Sequence, residues 1–585
     1  MLVSSVWVNA ACGDDGAARI DAASTSDEPP TSTDAPPADL PNFVCDPGTR
    51  RCRDASALER CAPTGKAWIA EPCPSKAMCV PCEDDQCVED RCLGPCESAD
   101  ELPSSAGCSF IANRQLHEFA QIPDGLVVAN PNTTQVATVR HLVTAEGTND
   151  EELVDEILLA PLEAHIFELS TDFVQGNGSM FRSGGTHRVE TDVPVVAYHH
   201  APLQLARSND SSMLLPEGAL GTTYVVPSYA PMADHPVGGG EPSYFEIVAL
   251  EDFTRLEWFP PVATAGNGLP VPFVPPGGSG SLRLNRFDTV RIAASAEGQA
   301  DANLRDVSGT IIEADRRIWV TAGVRCSRVP LRDPEAFPGG HCDPLQEMLI
   351  PLQYWGTQYV GVASPPRETE RQWWRLYAGT PGVTIDTDPP QPGMPVVLQE
   401  RGDYVELSVA AGTHVIFTGD GAFLPVGYLQ SSRELFDQDG AGPGVAEPEA
   451  ESTRIGAPSM VQMIPVEQFL SRYVFATALN FPINYVQVIR PAGGPDVVLD
   501  GGEVVDGFVP VGDYEVADVP LAEASDPTEA THELRSDGAF GIVQIGYSTD
   551  AVDPDCFIEP EFEGLNCLSS YAYPGGMKSE PIYIP

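Results

Sequence analysis

One β-rich block recurs about four times along this chain, and that repetition restricts the fold more than any other feature. The fullest copy runs from Ser308 to Val362. It reads Ser308-Gly309-Thr310-Ile311-Ile312-Glu313-Ala314-Asp315, two arginines, then the apolar run Ile318 to Val324. A loop between Cys326 and Cys342 follows, then Leu349-Ile350-Pro351, Trp355-Gly356-Thr357 and Tyr359 to Val362. β-branched and aromatic residues dominate these runs, and proline marks the turn between them.

Three markers keep one order. The first is a Thr-to-Asp segment leading into an apolar strand, at Asp192, Asp315, Asp420 and Asp537. These aspartates lie 123, 105 and 117 residues apart by subtraction. The second is Leu214-Leu215-Pro216 before Gly221-Thr222-Thr223-Tyr224, repeated at Pro351 and Tyr359 and at Pro465 and Tyr473. The third is an alternating strand at Phe245–Leu250, Trp374–Ala378 and Asn484–Ile489. A long fixed period signals a propeller, a solenoid or tandem modules. No repeat carries a sustained helical period. The reading is therefore all-β, with five or six short strands per unit. The runs Val195–Tyr198 and Ile318–Val324 are expected to be central strands, and the alternating strands half exposed. A propeller-like ring of four units is favoured because closure removes sheet edges, with tandem β-sandwiches as the alternative. The units are expected near 109–204, 205–326, 343–430 and 457–550, with a tail at 551–585. The first unit is read as lacking the Leu-Pro marker.

Ahead of the repeats the chain changes character. Residues 1–12 are apolar, end in small residues and stop at Cys12, as in a lipoprotein signal segment. Cys12 is the candidate lipidation site, with an ordinary secreted start as the alternative. Residues 13–44 are acidic and rich in Pro, Ser and Thr, a composition suited to a disordered tether. Residues 45–108 hold Cys45, Cys52, Cys61, Cys73, Cys79, Cys82, Cys87, Cys92, Cys96 and Cys108. Such density reads as a disulfide module, zinc at Cys79-Val-Pro-Cys82 being the competing reading. Cys326 with Cys342, and Cys556 with Cys567, are two further candidate pairs. Setting Cys12 aside leaves an even number of the 15 cysteines, which supports export. A net charge of −51 repels nucleic acid and anionic lipid surfaces. Membrane contact is expected only through a lipid anchor.

These residues carry a resemblance. Ser208-Asn209-Asp210 through Pro216, the Gly-Thr-x-Tyr-Val strand, Ala249-Leu250-Glu251-Asp252 and Ser308-Gly309-Thr310 resemble the IgGFc-binding protein N-terminal domain family. The cysteine module resembles the start of myxobacterial-type predicted lipoproteins that carry this domain. Asp252-Phe253-Thr254 stands where the more usual turn is Asp-Gly-Thr, and Leu470 stands in place of the glycine of Gly-Thr-x-Tyr. The resemblance brings no catalytic residue and implies an exported binding or adhesion role.

Little else points to chemistry. His199-His200 is the only adjacent histidine pair among ten histidines, and a hydrolase or metal site would have to use it. No Gly-x-Ser-x-Gly, His-Glu-x-x-His or phosphate-loop pattern occurs. Asp437 and Asp439 form a fragment of a calcium-loop pattern, so calcium is the one cofactor candidate. The four repeated aspartates read as turn residues that accept from nearby backbone N–H groups. Trp373 and Trp374 are adjacent in a strand, so one should face the core. The function expected from sequence is a non-enzymatic surface lipoprotein that binds an extracellular protein or glycan. A secreted hydrolase and a structural envelope protein are the alternatives.

Overall fold

The computed structural model describes residues 44–584 apart from 75, 83–88, 118–121, 170–175, 177, 204–208, 233–240, 269, 297–300, 332–341, 366–370, 432–454 and 549–568. Cys12, Cys87, Cys556, Cys567, Asp437, Asp439 and nearly all of the tether lie outside the described residues.

Each repeat is a sandwich of two antiparallel sheets, and the strand order is the same in all four. In the second unit one sheet runs Thr223–Val225, Ile311–Ala314, Thr254–Phe259, Gly280–Leu284. Its partner sheet runs Asp288–Ala293, Tyr244–Ala249, Ile318–Ser327, Asp343–Met348, and Met180–Ser183 of the first unit adds to it beyond Asp288–Ala293. Numbered along the chain, the unit's own strands are 1-6-3-4 and 5-2-7-8. The third unit repeats both orders from Gln358–Gly361 to Met460–Gln462. In the first and fourth units strands 6 and 7 are continuous, as His187–Ala201 and Thr531–Tyr547, so one strand serves both sheets. The chain is nearly all β, as expected, but the favoured propeller is corrected. A blade is one sheet, whereas each unit here is two, and the sandwich alternative describes it. The expected five or six strands become eight because the Leu-Pro segment closes the preceding unit as its eighth strand. The first unit therefore keeps its marker: Asp210–Leu214 pairs with His187–Ala201. Ser570–Pro574 is the eighth strand of the last unit.

The marker residues are explained by one recurring lock. The Tyr224 hydroxyl accepts from Gly221 N at 2.9 Å and donates to Ile318 O at 2.8 Å. Tyr359 does the same between Gly356 N and Phe423 O, at 2.9 and 2.6 Å. Tyr473 joins Leu470 N to Phe540 O, at 2.9 and 2.5 Å. Each tyrosine ties strand 1 to the start of strand 7 across the sandwich. The glycine answers a different demand. A Cβ at Gly107, Gly221 or Gly356 would lie 2.3–2.6 Å from the side chain of Pro216, Pro351 or Pro465. The lock needs only a backbone N–H, so Leu470 satisfies it. Phe253 holds φ +64, the left-handed region that a glycine takes without cost and the reason a glycine is usual in that turn.

The alternating strands are not half exposed. Tyr244–Ala249 is buried throughout. Its polar residues face a neighbouring unit rather than water. Glu246 accepts from Asn113 Nδ2 of the first unit at 2.9 Å. Arg375, in register with Glu246, reaches Asp306 Oδ2 at 2.7 Å and Ser228 O at 2.9 Å in the second unit. Gln487, again in register, donates to Ala363 O of the third unit at 2.8 Å. Arg375 also lies over the rings of Tyr229, Tyr404 and Tyr428 at 4.0, 4.8 and 5.7 Å, so its buried charge is fully surrounded.

The four eighth strands meet around a common axis: Asp210–Leu214, Asp343–Met348, Met460–Gln462 and Ser570–Pro574. Side chains, not ladder partners, satisfy their facing backbone. Asp210 Oδ2 accepts from Gln346 N at 2.9 Å and Met460 N at 3.4 Å. Ser212 Oγ accepts from Met348 N at 2.8 Å, and Gln462 Oε1 from Ile350 N at 3.2 Å. The two extremes of the repeat array close the ring: Ser105 N donates to Met577 O and Ser579 N to Pro103 O, at 2.8 and 2.9 Å.

In the N-terminal module the disulfides are Cys45–Cys61, Cys52–Cys79, Cys73–Cys92 and Cys96–Cys108, and Cys82 is also disulfide-bonded. Cys79 is bonded to Cys52, which removes the zinc reading of Cys79 and Cys82. Cys326 is bonded to Cys342. Such a density of bonds belongs to an oxidising compartment. Among the described residues no helix is long and apolar enough to cross a membrane.

Two outcomes are expected. Tyr359→Phe orphans a buried N–H and a buried carbonyl, so it should cost about 1–3 kcal/mol, read as a lower urea midpoint at unchanged slope. Glu347 is fully buried on the axis, with Ser212 donating to it. Burial holds its carboxyl well above the ordinary 4.5, and the charge of Asp210 adds to this. The unfolded chain releases that proton first, so stability falls as pH rises above 4.5, by up to about 1.4 kcal/mol per pH unit. Glu347→Gln should therefore raise Tm, by a margin that widens from acid to mildly alkaline pH.

Candidate functional site

The repeated aspartates set a register by which the four units can be compared residue by residue. Asp192 Oδ1 accepts from Thr138 N at 2.7 Å, Asp315 Oδ1 from Arg255 N at 2.8 Å, and Asp420 Oδ1 from Thr384 N at 2.7 Å. They clamp the bend between strands 6 and 7 onto strand 3. This corrects the expectation of a purely local turn, since the donors are 36 to 60 residues away. In the last unit Asp500, not Asp537, accepts from the facing strand, from Glu533 N at 2.8 Å.

Counting from the clamp places His141, Trp258, Thr387 and Leu499 at one core-facing position of strand 3. His187, Thr310, Val415 and His532 share a position beside strand 6. His165, Val290, Val405 and Ala517 share one on strand 5. In the second unit these places hold Trp258 and Val290, both fully buried. In the first unit all three are histidines. The second unit fills its core with an indole; the first leaves a cleft of about 650 Å³. His141, His165, His187 and Phe167 line it, with Glu146, Asp155 and Glu168 among the surrounding residues.

The geometry of the cleft follows from its strands. His141 Nε2 and His187 Nδ1 are 3.0 Å apart and share one hydrogen bond, their rings stacked at 5.2 Å. Phe167 lies against His141 at 4.9 Å and His165 at 4.6 Å. Asp155 stands directly opposite His141 because a bulge in the ladder inserts Val154. Burial pushes His141 down to about 4 and His187 down to about 3, so both are neutral at physiological pH. Among the described residues no three His, Cys, Asp or Glu side chains are grouped to hold a metal ion. The cleft thus offers neutral imidazole donors and acceptors, an aromatic face and carboxylates.

The other candidates lie elsewhere. His199 Nε2 is 3.2 Å from Asp124 Oδ2, and His117 Nε2 is 2.9 Å from Asp124 Oδ1, all inside the first unit. His200 bonds Ser211 Oγ. Both are buried, and the void that His200 borders is only about 10 Å³, room for a single water and not for a substrate. Burial lowers His200 to about 3. Trp374 is in the core and Trp373 is half-buried, donating to Gln430 Oε1 at 3.4 Å. Neither forms an exposed patch. In sequence His187, like His414 and His532, reads as part of the repeat, and His141 and His165 carry no pattern of their own. Aligning the repeats on their aspartates exposes them.

The cleft precedes the part of the chain that matches a known family. A family model described as IgGFc binding protein matches residues 210–546. No curated protein and no solved structure matches the chain.

The cleft has a pH signature. The unfolded histidines take up protons below about 6.5, while folded His141 resists until about 4, so stability falls as pH drops through that window. Replacing His141 by Leu and His187 by Val, the residues at Leu499 and Val415, should flatten the decline in Tm between pH 6.5 and 4. Asp155 and His165 face His141, and Arg182 and Asp124 act on His187, so the double variant is compared in their presence.

Proposed function

Because the chain belongs to the IgGFc-binding protein family, whose model spans residues 210–546 of 585, we propose that it is an exported binding protein and not a catalyst. The observation that carries this reading is what the buried polar groups do. Arg375, Glu246 and Gln487 join one unit to the next, and Asp210, Ser212 and Gln462 join the eighth strands. Chemically versatile side chains are spent on holding a frame. The Ser211–His200 pair, the nearest approach to a nucleophile and base, is sealed off from substrate. A rigid frame with its variation at loops and strand edges suits recognition.

The ligand is an extracellular protein or glycan. The chain is held at the envelope by a lipid on Cys12, with residues 13–44 as spacer. The family description names antibody Fc as a ligand of that family. For this chain Fc is one candidate protein among others.

Two measurements test the reading. Mass spectrometry of the membrane fraction should find a mature N-terminal peptide that begins at lipidated Cys12, and Cys12→Ala should move the protein to the soluble fraction. Purified chain should bind saturably to at least one member of a panel of glycans and extracellular proteins, Fc included. A reproducible turnover without any ligand on that panel would sink the proposal.

A further inference from the structure

The first unit differs from the others at its edge as well as its core. Strand 4 ends the sheet in every unit. In the second, third and fourth units it is five, three and two residues long. In the first it is Glu151–Leu159, nine residues. Short edges protect a sheet from unwanted pairing, as do Lys and Pro placed on the edge. Glu151–Leu159 reads Glu-Glu-Leu-Val-Asp-Glu-Ile-Leu-Leu, with neither; the protection it carries is its carboxylates and the bulge at Val154. Leu153, Val154 and Leu158 are 54, 54 and 73% exposed. Among the described residues it pairs only with Ala137–Thr144, leaving its other side open.

Its two faces have different chemistry. Residues directly opposite across an antiparallel pair share a face. Glu152 faces Val143 and Asp155 faces His141, both on the cleft side. Leu153, Glu156 and Leu158 oppose Leu142, Arg140 and Thr138 on the outer side. Ile157 and Leu159 complete the inner face, opposite Val139 and Ala137, and Glu151 begins the outer one, so a strand laid along this edge would meet two carboxylates and then two apolar residues on its inner face and an alternating acidic–apolar row on its outer face.

We propose that the open edge of Glu151–Leu159 and the histidine cleft behind it form one docking site for an extended basic polypeptide segment of another protein. The segment adds as a further strand, and a Lys or Arg beside Asp155 enters the cleft toward Glu146 and Glu168. Charge decides the occupant. The chain's own N-terminal segment is acidic, with Asp14, Asp15, Asp21, Asp27 and Glu28, and a second copy would set Glu152, Asp155 and Glu156 against themselves at a net charge of −51 each. Both are repelled; a basic strand is attracted. This inference rests on the reading of the chain as a binding protein and names one partner class for it.

The test uses the full chain and a fluorescent peptide as long as the strand, alternating Lys and Val. Anisotropy should report saturable binding that weakens with salt. Amide exchange should slow within Glu151–Leu159. Glu152→Lys with Asp155→Lys should weaken binding at least about tenfold, with Tm confirming that the variant is folded. Leu158→Lys, on the outer face, should weaken it independently. The same peptide methylated at alternate amides should not bind, because strand addition needs its N–H groups. Equal binding by the methylated peptide, equal binding by a Glu–Val peptide, or no binding by the Lys–Val peptide overturns the proposal. The broader reading fails separately: it is lost only if the chain also finds no partner on the ligand panel.

Discussion

Four sandwiches in a row would leave four eighth strands with an unpaired edge each, and the ring exists because those edges are turned toward one another. The eighth strands do not form ladders with one another. Side chains supply the missing acceptors instead. Asp210 alone receives Gln346 N, Met460 N, Ser459 Oγ and Ser211 N. A buried N–H left unpaired costs a few kcal/mol, so the polar residues of Asn209 to Ser212 are bound to their places by the backbone of neighbouring units. The same segment carries the family resemblance, which is why a motif without chemistry persists in the chain: its residues hold the centre.

The rest of the frame repeats that economy. One tyrosine hydroxyl ties strand 1 to strand 7, one aspartate ties the bend to strand 3, and one polar residue of strand 2 reaches the unit before. Each is a short-range signature in sequence, so the repeats, the markers and the β class were all legible. Their partition was not. Leu214-Leu215-Pro216 precedes a glycine and tyrosine of the next unit, so it reads as that unit's beginning, although its strand pairs backward with His187–Ala201. The alternation in Phe245–Leu250 suggested a wet face because a polar residue aimed at a neighbouring unit looks, in sequence, like one aimed at water. The hydrogen bond from Asn113 to Glu246 and the ion pair of Arg375 with Asp306 reveal the difference. Ring closure through Pro103–Ser105 and Met577–Ser579 was equally invisible, being a contact between the two extremes of the repeat array.

The histidines show the reverse case, a feature present in the sequence but unreadable until a register was known. His141, His165 and His187 are separated by strands, and each alone resembles a buried histidine of no consequence. Once Asp192 is matched to Asp315 and Asp420, they fall where other units place Trp258, Val290 and Thr310. Two of the three histidines stand where the second unit has an apolar residue, and His141 forgoes the hydrophobic burial that the Trp258 indole provides, about 25 cal/mol for each Å² of apolar surface. The neighbours hold this irregular unit in place: Tyr198 of the first unit shares its one O–H between Val474 O and Gly575 O of the last, both at 2.9 Å.

That borrowed stability bears on where recognition can evolve. A lone sandwich with a cleft and a long bare edge would be prone to slip or to aggregate, since both features weaken the drive to one register. In the ring, the first unit is held on three sides: by the second through Asn113 and Glu246, by the fourth through Tyr198, and by the cysteine module through Lys76 and Asp192 at 2.9 Å. Among the described residues, the side formed by Glu151–Leu159 and the cleft touches a neighbouring unit only at its first residue, where Arg286 reaches Glu151 at 3.5 Å. The units with tight cores and short edges carry the mechanical burden, which frees the unit nearest the N-terminal module to be irregular. In a closed array of equivalent parts, the least regular copy is therefore the natural place to look for contact with another molecule.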